Sequence, residues 1–102
     1  MLSEAQVAQF HANGFLNGGQ VLTDEEVEVL RSEVMRTIDE RERSDVKQPV
    51  LCRNLSRDEG SPVWQIVNIW MSSDPFHMLI SHPKITAMMA QLTQAKELRI
   101  WH

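Results

Sequence analysis

The sequence predicts an α+β fold, and three observations carry that prediction. From Val27 to Ile38, apolar residues recur every three or four positions, the period of a helix with one buried face. From Val63 to Met71 the run is β-branched and aromatic, with Gln65 and Asn68 its only polar side chains, which reads as a strand. From Glu97 to His102, Leu98 and Ile100 alternate with Arg99 and Trp101, again the period of a strand.

Taken in order, Ser3 is an N-cap for a first helix through about Ala12, with Val7 and Phe10 on one face and Asn13-Gly14 as the stop. Phe15-Leu16 reads as extended and Asn17-Gly18-Gly19 as a turn. Thr23-Asp-Glu-Glu26 is a capping box opening the second helix, whose inner face is Val27, Leu30, Val34 and Ile38. With its charged end through Arg43 that helix is expected to be about 20 residues and about 30 Å long. A polar linker, Ser44 to Gln48, leads to a short extended segment, Pro49-Val-Leu-Cys52. Asn54 to Ser61, polar and charged, is a loop, the natural place for a lid although most such loops only connect.

Under strand alternation, the central run points Val63, Val67 and Ile69 one way and Trp64, Ile66 and Trp70 the other. A strand apolar on both faces needs cover on both. Asp74, with Pro75 behind it, is expected to cap a short helix bearing Phe76, Leu79 and Ile80. Ser81-His-Pro83 breaks it, and a further helix follows to near Ala95 with Ile85, Met88, Met89 and Leu92 inward.

Length and composition bound the function. A chain of 102 residues, 42% apolar and 24% charged, is one domain at most and not a disordered one. The net charge is −4 and the basic residues are interleaved with acids, as in Arg41-Glu-Arg43 and Arg57-Asp-Glu59, which argues against nucleic acid as a partner. The single cysteine, Cys52, excludes an internal disulfide and reads as a small buried hydrophobe. No run approaches the roughly 20 apolar residues of a membrane span, and no signal peptide is evident. A soluble, cytoplasmic protein without a membrane partner is expected.

The titratable residues form no recognisable centre. His11, His77, His82 and His102 include no i, i+4 pair and no His-x-Asp or His-x-Glu, so a metal site from this chain alone is not expected, nor any catalytic residue. His11 and His77 read as exposed helix positions, His82 as a turn residue, and His102 as either an inward strand residue or a frayed end. Asp24-Glu-Glu26 is accounted for by helix capping, and Met88-Met89 by core filling. Gln65 and Asn68 stand out, because an amide within an apolar strand must find hydrogen-bond partners, more often backbone than a ligand.

In their order and spacing, Leu2-Ser-Glu-Ala-Gln-Val7, Asn13-Gly-Phe15, Val21 to Val27 and Leu30-Arg-Ser-Glu-Val34 resemble the N-terminus of the phytanoyl-CoA dioxygenase family. Val63 to Trp70, Asp74-Pro-Phe76, His82-Pro83, Leu92 and Leu98-Arg-Ile-Trp-His102 extend the resemblance over nearly the whole chain. Members are iron(II)- and 2-oxoglutarate-dependent oxygenases on a double-stranded β-helix, a jelly roll, that hydroxylate or halogenate small molecules and acyl thioesters. The resemblance implies that residues 1–102 are a single partial domain: the helical cap and first strands of such an enzyme, with an incomplete barrel. By family position, Gln65 would lie near the co-substrate and His102 on the first barrel strand close to the active site. The family's His-x-Asp, distant His and co-substrate Arg have no counterpart here, so no cofactor is expected to bind this chain alone. From a different class, the same features suit a non-catalytic helical interaction module that pairs its exposed strands with a partner or with itself.

Overall fold

The computed structural model describes residues Met1–His102. It is an α+β fold of four helices, α1 (Glu4–Asn13), α2 (Asp24–Asp39), α3 (Asp74–Ile80) and α4 (Pro83–Thr93), with a two-stranded antiparallel sheet, β1 (Leu51–Asn54) and β2 (Trp64–Val67). The chain divides into two compact units, one of Met1–Thr23 with Ser81–Trp101, the other of Asp24–Ile80 with His102. No helix is long and apolar enough to cross a membrane.

In the first unit, α1 starts where the sequence places it. Ser3 Oγ accepts from Gln6 N–H at 3.2 Å and Gln6 Oε1 accepts from Ser3 N–H at 2.9 Å, so two otherwise unmet donors are satisfied reciprocally. Gly14, at φ 79°, ends the helix by donating its N–H to the Phe10 carbonyl at 2.7 Å. Asn17 Oδ1 then accepts from Gly19 N–H at 3.0 Å, so a side chain closes the expected turn. α1 packs on α4, and Gln91 clamps the chain start: its Oε1 accepts from Leu2 N–H at 2.9 Å and its Nε2 donates to the Leu2 carbonyl at 3.0 Å. Leu2 and Leu92 are the buried apolar residues here. α4 opens on Pro83, whose missing N–H costs nothing at a first turn.

The Glu97–His102 segment forms no strand, contrary to the alternation of its sequence. Leu98 and Ile100 are exposed and Trp101 is 91% exposed. Alternation supplies faces, but a strand exists only where a neighbouring ladder takes its backbone groups, and none runs beside this segment.

In the second unit, α2 spans 16 residues rather than about 20. Its charged tail leaves the helix because side chains take the terminal carbonyls: Arg41 Nη1 donates to the Ile38 carbonyl at 2.7 Å, and Gln48 Nε2 to those of Glu40 and Arg43 at 2.6 and 2.9 Å. Ile38 is buried and Leu30 and Val34 are half-buried, whereas Val27, in the first turn, is exposed.

β1 lies two residues later than the expected Pro49–Cys52 segment, and the central run is not one strand. β2 stops at Val67, Asn68 turns into the left-handed region at φ 57°, and Ile69–Met71 is a 3₁₀ turn. Asn tolerates that conformation better than most residues, so the amide within the expected strand is where the strand ends. The short helix α3 is capped not by Asp74 but by Ser73, whose Oγ accepts from Phe76 N–H at 3.4 Å.

Candidate functional site

The hairpin β1–β2 sorts its side chains onto two faces. Leu51 pairs with Val67 and Arg53 with Gln65 on one face; Cys52 pairs with Ile66 and Asn54 with Trp64 on the other. Beyond the strands, Leu55 N–H donates to the Val63 carbonyl at 2.7 Å, so these two extend the first face and are both more than half exposed. On the second face the Arg41 guanidinium lies 4.8 Å from the Trp64 ring centroid, a cation–π contact.

Gln65 finds its partner across the ladder: its Oε1 accepts from Arg53 Nε–H at 3.0 Å. That bond holds the exposed guanidinium above the sheet with its two terminal nitrogens making no hydrogen bond within the chain. A guanidinium so oriented, between Leu51–Val67 and Leu55–Val63, is suited to holding a carboxylate.

The loop that joins the two strands is tied down. Asn54 Oδ1 accepts from the N–H groups of Ser56 and Val63, each at 2.9 Å, and Asp58 Oδ1 from Gly60 N–H at 2.9 Å. Ser56 Oγ accepts from Asp58 N–H at 3.0 Å. The expected loop is therefore the hairpin connection, shaped by side chains that imitate backbone turns.

The other polar cluster of this unit is a brace between α2 and α3. Arg36 donates to Glu33 at 2.7 and 3.2 Å, to Glu40 at 3.0 Å and to the Ser72 carbonyl at 2.8 Å, while Ser73 Oγ donates to Glu33 Oε2 at 2.5 Å. The Arg36 hydrogen bond, and after it that of Ser73, hold the Glu33 carboxyl below the usual carboxylate range. Every acceptor here already has a protein donor, so the cluster fixes helix geometry. Beyond β2, Asn68 Oδ1 and Trp70 Nε1 are buried without a hydrogen-bond partner, and the Trp70 ring lies 6.0 Å from that of His77.

Of the two residues singled out by family position, Gln65 sits on the hairpin face and His102 at the exposed end of the chain, outside any strand. His11 and His77 are exposed on helices, and His82 is the half-buried N-cap of α4. No three His, Cys, Asp or Glu side chains come together in a way that could hold a metal ion, so the residues present do not fit an iron(II) centre. Arg53 escaped the sequence reading; its signal was the two β-rich runs on either side of a turn-rich stretch, which pair it with Gln65 once read as a hairpin.

In the first unit an apolar groove of about 180 Å³ runs between Leu2, Leu16, Val21, Ile85, Met88 and Leu92. A Cβ at Gly18 would lie 2.8 Å from Met88 Cε, which shows how closely backbone and methionine approach there. Comparison of the chain with protein-family models, with curated proteins and with solved structures finds no match.

Proposed function

We propose that this chain is the N-terminal part of an oxygenase resembling phytanoyl-CoA dioxygenase, supplying the helical cap and first strands of a jelly roll. The order and spacing of its matching segments, from Leu2-Ser3 to Trp101-His102, support the reading. So does a two-stranded sheet whose strands make no extended contact with a helix, although β2 is apolar at three of its four positions. In such an enzyme, iron(II) and 2-oxoglutarate would supply the oxidising chemistry, acting on a small molecule or acyl thioester. The chain's own part would be to hold, through the Arg53–Gln65 pair, a carboxylate beside the pocket. The 102-residue chain is inactive on this reading.

The experiment is calorimetric titration of the 102-residue polypeptide with iron(II) and 2-oxoglutarate under anaerobic conditions. No tight, stoichiometric iron binding is expected; such binding would refute a reading in which the ligands lie elsewhere. A second reading, a non-catalytic interaction module, draws on the same open sheet. A chain that is a well-folded monomer with no need of further strands favours it over the oxygenase.

A further inference from the structure

We propose that two copies of this chain associate by strand addition, the Leu98–Trp101 segment of one copy extending the sheet of the other along the free edge of β2. The inference concerns the hairpin and this segment alone and does not depend on the oxygenase reading.

The acceptor follows from the ladder. Because Leu55 N–H bonds the Val63 carbonyl, residues 63, 65 and 67 turn their backbone groups toward β1, and Trp64 and Ile66 turn theirs away. The sheet has two strands, so no neighbouring strand meets the outward groups of Trp64 and Ile66. Backbone groups along such an edge are a template for another chain. The opposite edge is the poorer acceptor: Pro49 lies just before β1, and Arg53 and Asn54 there are polar and exposed.

The donor follows from sequence and exposure together. Leu98-Arg-Ile-Trp101 has strand periodicity and matches β2 in length, yet it is in no ladder. Leu98 and Ile100 stand 45% and 54% exposed, side chains that gain by lying on a sheet. Laid beside β2, one side of the segment sets Leu98 and Ile100 next to Trp64 and Ile66, and the other sets Glu97 and Arg99 on the face that carries Arg53 and Gln65. Glu97, which accepts from Arg99 at 2.9 Å, then brings its carboxylate, with Arg99, to the face that carries Arg53. Main-chain bonds supply the attraction and alternating side chains the register, as in other strand additions.

Sedimentation equilibrium over a concentration series, with amide exchange at both ends of the series, tests this on the full chain. Expected is reversible association in which the Trp64, Ile66 and 98–101 amides exchange about tenfold more slowly in the associated state. Proline replaces an N–H, and successive N–H groups of a strand point opposite ways. One of the two variants Arg99→Pro and Ile100→Pro must therefore lose a ladder bond and weaken association by about tenfold. Both positions are exposed coil, so the fold is retained. A chain monomeric throughout overturns the proposal, as does association that leaves these amides unprotected or is untouched by either proline.

Discussion

Ser73→Ala is the substitution that most sharply probes the brace between α2 and α3. Ser73 is 3% exposed and its hydroxyl does two things: it accepts from Phe76 N–H to cap α3, and it donates at 2.5 Å to Glu33. Loss of a cap costs about 1 kcal/mol, and a hydrogen bond to a charged group is worth about 1.5–3 kcal/mol. The 3.4 Å cap bond is long, and Glu33 keeps its Arg36 bonds and is 20% exposed, so both contributions fall toward their lower ends. The expected loss is about 2 kcal/mol, a urea midpoint lower by roughly 1–2 M for a small protein. Trp64 and Trp70, in the same unit as the brace, report it by fluorescence. The variant also has a pH signature. Glu33's carboxyl is held below its ordinary value of 4.5, so the unfolded chain binds the more protons. Its contribution is therefore full above that value and is lost as pH falls through the lowered folded value. Ser73→Ala removes one of the two donors and makes this acid loss shallower. A stability within 0.5 kcal/mol of the parent (about the scatter of an ordinary surface change), together with an unchanged acid slope, would refute the reasoning.

Two other substitutions address the local devices. Gln91→Leu removes both hydrogen bonds that clamp the Leu2 backbone and is expected to cost about 1–2 kcal/mol, with faster exchange of the Leu2 amide. Asn68→Val places a β-branched side chain at φ 57° and should cost about 2 kcal/mol in urea unfolding, whereas Asn68→Gly should cost far less.

The helix signals were legible because they are local. Ser3, Asn13-Gly14 and the Asn17-Gly-Gly19 turn act on groups within four residues, and each acts as its sequence indicates. The ends that shifted are set by distant partners. Ser73 rather than Asp74 caps α3, with its hydroxyl also engaged by Glu33, forty residues away in sequence. The run from Val63 to Met71 is apolar on both faces throughout, and only the turn at Asn68 divides strand from 3₁₀ turn. Likewise Glu97–His102 has the alternation of a strand, but a ladder is a property of two segments and the sequence displays one. Gln65 stands out in the sequence as an amide in an apolar run; its partner Arg53 emerges from the register, which pattern alone leaves open.

The strands of the hairpin make no extended contact with a helix, and amide exchange of the dilute chain measures directly how readily they open. The ladder amides of β1 and β2 are expected to exchange through local opening, well ahead of the α2 amides around the buried Thr37 and Ile38. Hairpin amides protected as strongly as those of α2, in a chain that is monomeric, would contradict that expectation.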